Sequence, residues 1–214
     1  MEQLSLFNEE KNNSDLPADL IYIKNFIQEE ESQSLLQKFI GDLPWQQTER
    51  ILYGKKIITP RLTVWYGDTS ANYSLSSDPS FPLPWTDELL DLKNRVVELS
   101  GVRFNTVLLN YYRNGNDSVA WHTDNDGIPG RNKTVASVSL GQTRRFDVRN
   151  YKDHSKKYSI MLESGSYLLM TGSFQDEWQH RVPKSATLPL PRVNLTFRLM
   201  PINGSTSSVH CSLW

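Results

Sequence analysis

One cysteine, Cys211, stands in 214 residues. No internal disulfide can form, which fits a reducing compartment, and a thiol in a polar tail is expected to be exposed and inert rather than catalytic. Long hydrophobic runs are missing as well. No stretch approaches the roughly 20 apolar residues of a membrane-crossing helix, and the first residues lack the basic and apolar regions of a secretory signal. Both absences argue for an intracellular protein. Net charge is nearly missing too: at −1, the chain as a whole has no cationic field to draw it to nucleic acid. Internal repeats and low-complexity blocks are not visible.

What is present is a balance of 38% hydrophobic and 22% charged residues, suited to one compact domain with a real core and short tails. The charge is unevenly spread. Residues 1–50 carry ten Asp/Glu against four Lys/Arg. Residues 131–157 reverse this, with Arg131, Lys133, Arg144, Arg145, Arg149, Lys152, Lys156 and Lys157 against Asp147 and Asp153. Such a stretch is either a solvated face or a surface for a polyanion backbone.

Hydrophobic periodicity separates the chain into parts. Residues 1–16 are polar and expected to be disordered. Leu35, Leu36, Phe39 and Ile40 recur at helical spacing within 21–41, and Gly41 is expected to stop that helix. Short strands and turns fill a lid over about 44–82. A second helix is expected over 85–100, capped by Thr86 and closed by Gly101. From about 104 to 200 the chain alternates as strands at 105–112, 134–140, 145–148, 158–162, 167–170, 178–182 and 193–199. With no helical pattern among them, the expectation is a mainly β fold with flanking helices. Its core would be an antiparallel double-stranded β-helix, a cupin-like jelly roll. Residues 201–214 form a Ser-rich tail, so 17–200 is expected to be a single domain.

The chemistry centres on Trp121-His122-Thr123-Asp124. In an extended strand alternate side chains share a face, so His122 and Asp124 can touch one metal ion. His180 is the natural third ligand. Two imidazoles and one carboxylate suit non-haem Fe(II), leaving neighbouring coordination positions open. A zinc hydrolase also uses such ligands but has no use for downstream arginines. Here Arg192, Asn194, Thr196 and Arg198 share one face of a strand whose other face is Val193, Leu195 and Phe197. Arginines facing a barrel interior are costly unless an anion meets them.

The order H-x-D, a distal His, then R-x₅-R resembles the AlkB family of Fe(II)- and 2-oxoglutarate-dependent nucleic-acid dealkylases. The likeness runs from about residue 43 to 199. The runs PRLTVWYGD, YYRNGNDSVAWHTD, RRFDVR and DEWQHRVPK look most like the eukaryotic homologues acting on single-stranded DNA or RNA. The resemblance implies a 2-oxoglutarate site at Asn110, Tyr112, Arg192, Asn194 and Arg198, with Fe(II) on His122, Asp124 and His180. Six strand residues put the two arginine Cα atoms roughly 20 Å apart. They cannot share one carboxylate equally, so Arg192 is expected to grip the distal carboxylate. Arg198 and Asn194 are expected to act nearer the iron-chelating end or on its ligands.

The implied reaction consumes O₂ and 2-oxoglutarate, hydroxylates an N-methyl group on a base of the 1-methyladenine or 3-methylcytosine type, and releases formaldehyde, succinate and CO₂. Reaching such a base requires unstacking it. The resemblance places base contacts in a nucleotide-recognition lid at Trp45, Tyr73, Ser74 and Leu75, and after the triad at Asn125 and Asp126. Position 125 is Asn where several family members have Asp, and Leu75 offers no ring for stacking; Asp126 becomes the candidate carboxylate for a cationic base. Two other readings stay open, a same-fold oxygenase acting on a protein or small molecule and a non-enzymatic jelly-roll binding module.

The tail opens with Gln3-Leu4-Ser5-Leu6-Phe7, an apolar cluster without a folding reason. It resembles the QL-S/D-LF peptide by which bacterial repair and replication proteins dock on the sliding clamp, which would make the chain cytoplasmic and bacterial. A eukaryotic chain would be nuclear or cytoplasmic. A monomer is expected.

Overall fold

The computed structural model describes residues 16–52, 55–69, 81–124 and 132–202. The chain enters as β1 (Leu20–Ile23), then forms α1 (Glu29–Asp42), β2 (Gln46–Leu52), β3 (Lys55–Gly67) and α2 (Asp87–Ser100). The strands β4 (Thr106–Tyr112), β5 (Val119–His122), β6 (Val135–Gly141), β7 (Arg144–Asn150), β8 (Lys157–Leu162) and β9 (Tyr167–Met170) follow. A short α3 (Phe174–Glu177), β10 (Trp178–Val182) and β11 (Arg192–Arg198) complete it. A seven-stranded sheet in the order β1-β9-β6-β11-β4-β3-β2 faces a four-stranded sheet in the order β5-β10-β7-β8. Every named pairing is antiparallel. This is the expected jelly roll.

Two apolar layers hold it together. In one, Leu36 and Phe39 of α1 and Leu89, Leu92 and Val96 of α2 cover Val193, Leu195, Phe197 and their neighbours on the outer face of the large sheet. In the other, Leu168 and Met170 of the large sheet meet Phe146, Val148, Ile160 and Val182 of the small one. Covered on both faces, β11 is buried along nearly its whole length, so its Arg192, Asn194 and Thr196 are buried polar groups rather than surface ones.

α2 begins and ends as its sequence predicts. The Thr86 hydroxyl accepts from the Leu89 N–H at 3.3 Å, and Gly101 closes the helix with a left-handed φ of 70°. The first helix departs from expectation at both ends. Leu20–Ile23 is strand, because it completes the large sheet against β9. Gly41 lies inside α1, and the stop is Leu43, extended at ψ 144°. Pro44 follows, and the residue before a proline is pushed out of the helical region. The lid segment contributes the β2–β3 hairpin to one edge of the large sheet. A further departure is α3, a single helical turn in the stretch expected to be all strand.

The basic stretch is also divided. Arg144 is 1% exposed and belongs to no surface. It donates to three backbone carbonyls, Asn114 at 3.2 Å, Asp117 at 2.9 Å and Pro183 at 2.7 Å. These tie the loop entering β5 to the loop leaving β10. The two backbones touch directly: the Ser185 N–H donates to Gly115 O at 2.8 Å, and a Cβ on Gly115 would lie 1.8 Å from Ser185 O. Only glycine fits there. Arg149, in contrast, lies on the outer face of the small sheet, where its guanidinium and that of Arg181 sit over the Trp121 ring at 4.3 and 4.6 Å.

Candidate active site

The small sheet builds the metal-ligand set. β5 and β10 pair so that His122 stands opposite His180, with ring centroids 4.3 Å apart. β5 ends at His122, so strand alternation does not carry the chain to Asp124. Asp124 is brought in by other contacts: its backbone N–H donates to Gln175 Oε1 at 2.8 Å, and Arg198 Nη2 donates to its carboxylate Oδ1. His122 Nε2 then lies 3.9 Å from Oδ1 and His180 Nε2 3.6 Å from Oδ2. One ligand atom from each of the three falls within 4.8 Å of the others, close enough to share one ion.

Both imidazoles turn Nε2 to the Asp124 side. The His122 Nδ1–H donates to Ala120 O at 2.8 Å, which fixes that ring orientation. His180 is buried between Phe146, at 5.2 Å, and Phe174, at 6.3 Å. Burial pushes its pKa down to about 3, with the Asp124 charge pulling the other way. A neutral imidazole is the form that binds a metal.

A continuous cavity joins this triad to the polar face of the large sheet, lined by Asn110, Tyr112, Arg192, Asn194 and Arg198. Arg192 is the anomaly. It is 1% exposed and donates one hydrogen bond, from Nη2 to Ser139 Oγ at 2.9 Å, while Nε and Nη1 have no partner. Its guanidinium lies 5.0 Å from the Tyr112 ring centroid, and burial lowers its pKa. Among the described residues no carboxylate forms a salt bridge with it. A buried guanidinium with two empty donors, opening on a three-ligand metal set, matches a small dicarboxylate that also reaches the metal. Asn194 is held by its own neighbours, donating to Ser137 Oγ at 2.7 Å and accepting from Thr196 at 3.0 Å.

Trp45 is not brought to this cavity. Its indole donates to Phe39 O at 2.9 Å and its ring packs on Tyr111 at 5.2 Å, within the helix-side layer. Tyr73, Ser74, Leu75, Asn125 and Asp126 lie outside the described residues, as do Gln3 to Phe7. Arg61 and Gln175 are among the site's residues that the sequence did not point to. Arg61 lines the cavity and donates to Asn110 Oδ1 at 2.6 Å; its place in the PRLT run was the available signal. Gln175 left none, because one helical turn has no periodicity to detect.

Residues 19–198 match the model of the 2OG-Fe(II) oxygenase superfamily. The human alpha-ketoglutarate-dependent dioxygenase alkB homolog 3 is 39% identical over 181 residues, covering 81% of this chain and 63% of that protein. The chain belongs to the AlkB family of 2OG-Fe(II) oxygenases. It spans about 63% of the length of the AlkB homolog 3 proteins it matches. The DNA oxidative demethylase ALKBH2 of Arabidopsis thaliana is 33% identical over 213 residues, covering 86% of this chain and 67% of the relative. The solved structure of OsALKBH1 shares the fold, with a TM-score of 0.63 at 20% identity over 86% of this chain and 99% of that one. Membership in this AlkB family implies Fe(II), 2-oxoglutarate and O₂, and the donor set described above fits the metal and the dicarboxylate.

Proposed function

We propose that this protein removes N-alkyl groups oxidatively from bases of the 1-methyladenine and 3-methylcytosine type in DNA or RNA. It would consume O₂ and 2-oxoglutarate and release formaldehyde, succinate and CO₂. The observation that carries the reading is Arg192, a buried cation with two unmet donors in the cavity that also holds the triad. The AlkB homolog 3 and ALKBH2 relatives support it.

Each side chain has a defined task in this reading. His122, Asp124 and His180 hold Fe(II), and Arg198 orients Asp124. Arg192 grips the distal carboxylate of 2-oxoglutarate, with Asn110, Tyr112 and Asn194 shaping its bed. Bound iron and 2-oxoglutarate supply oxygen activation and hydroxylation of the alkyl carbon. The protein's share is to place the substrate, exclude water and keep the buried His180 imidazole neutral. Asp126, Asn125, Tyr73, Ser74 and Leu75 belong to base recognition. For Trp45 the contacts with Phe39 and Tyr111 argue for packing.

Single-stranded nucleic acid is the preferred substrate, because a duplex opener needs an apolar wedge and residues 46–56 are mostly polar. The protein acts as a monomer. Gln3, Leu4, Ser5, Leu6 and Phe7 dock it on a sliding clamp. Fluorescence polarisation with the source organism's clamp tests this; a Leu6→Ala, Phe7→Ala double variant that binds as well as the intact protein removes the clamp. For the activity itself, the test is formaldehyde and succinate release on matched methylated and unmethylated oligonucleotides, single- and double-stranded. Equal succinate on both, without formaldehyde, would reject the substrate class.

A further inference from the structure

Asp124 lies two residues beyond the end of β5, so no strand ladder holds its backbone. Contacts from outside the ladder hold the peptide, and one of them comes from Gln175 in α3. Its side chain is 1% exposed, its Oε1 accepts from the Asp124 N–H at 2.8 Å, and its Nε2 donates toward Met170 Sδ at 3.6 Å. The amide orientation is forced by these two partners. A thioether sulfur only accepts and a backbone N–H only donates, so the oxygen must face Asp124. Met170 lines the same cavity as the triad.

We infer that Gln175 is a positioning residue for the metal centre: it fixes the backbone of Asp124 from within the core while Arg198 orients the carboxylate from the other side. This rests on the metal reading of His122, Asp124 and His180. A buried side-chain amide is costly unless both of its ends are paired, and here one of those ends is spent on a metal ligand's peptide. Outer partners of metal ligands commonly contribute one to two orders of magnitude to metal affinity. Gln175 is not among the residues lining the cavity, so its effect is carried by where Asp124 stands.

The test uses the metal-free full chain titrated with Mn(II), a redox-inert stand-in for Fe(II), with free Mn(II) counted by electron paramagnetic resonance. Gln175→Leu, which keeps the volume and deletes the acceptor, is expected to raise the Mn(II) Kd about 10- to 100-fold. Gln175→Glu retains an acceptor oxygen and should stay within a few-fold of wild type. A wild-type Kd in Gln175→Leu overturns the inference, and so does an equal loss in Gln175→Glu, which would mark a packing effect. If Gln175→Leu does not fold, amide exchange in the wild type decides: the Asp124 N–H must exchange as slowly as those within β5, and rapid exchange overturns the role. Wild-type protein that takes up no Mn(II) removes the metal centre itself, an outcome distinct from any of these.

Discussion

Arg198 donates from Nη2 to Asp124 Oδ1, joining the last residue of β11 in the large sheet to the metal-ligand segment after β5 in the small sheet. The contact has two opposing consequences. It orients the carboxylate so that Oδ2 faces His180, and it places a positive charge beside the position a cation would take. In a partly screened site the orienting effect is expected to win, since outer partners of ligands typically add one to two orders of magnitude to metal affinity. Arg198→Met should therefore weaken Mn(II) binding about tenfold or more, with Arg198→Lys intermediate. Calorimetric titration checks this, and tighter binding by Arg198→Met would mean that charge repulsion dominates.

Arg192→Lys should raise the apparent KM for 2-oxoglutarate roughly tenfold or more, because a point ammonium cannot replace a guanidinium fork on a carboxylate. Oligonucleotide KM should move far less. Steady-state kinetics with each substrate varied in turn separates the two, and the reverse pattern would assign Arg192 to the nucleic-acid surface.

His122→Ala, Asp124→Ala and His180→Ala should each abolish Fe(II)-dependent turnover and leave the thermal melt of the apoprotein cooperative. His122 and Asp124 stand outside the apolar layers, and His180 meets only one of them, at Phe146 and Phe174. Full activity in any one of them would displace the triad.

Arg144→Met should destabilise the protein by about 3 kcal/mol, since it strands buried carbonyls that cost roughly 1–3 kcal/mol each when left unpaired. For a chain of this size that is a fall in Tm of roughly 6–12 °C. A Tm within 2 °C of wild type would show that water or neighbouring groups take over the three carbonyls.

His180 supplies a pH signature. Its folded pKa is pushed down to about 3 by burial, below the ordinary value of about 6.5. Between those values the unfolded chain binds the extra proton and the folded chain does not. The neutral His180 site is thus fully compatible with folding above about pH 6.5, and stability is lost as pH falls from there towards 3. Thermal melts of metal-free wild type and His180→Gln across this range isolate the effect. The wild type should lose Tm faster on acidification than the variant, and parallel curves would refute the shift.

The jelly roll, the second helix and the polar row on β11 could be read before any coordinates, because they depend on local periodicity and capping that a short window contains. Thr86, Gly101 and the alternation from Arg192 to Arg198 each announce their structure within a few residues. His122, Asp124 and His180 were legible as a set because their residue types and order carry the chemistry. The tertiary structure decided what non-local contacts control. Leu20–Ile23 became strand because β9 offered an unpaired edge, and Arg144 left the basic surface because three loop carbonyls needed donors. Asp124 stands by the imidazoles through Gln175 and Arg198, 51 and 74 positions away in the chain. A separation of that length leaves no trace in local pattern: the cost of closing it is met only when the two sheets pack, so only the packed fold reveals it.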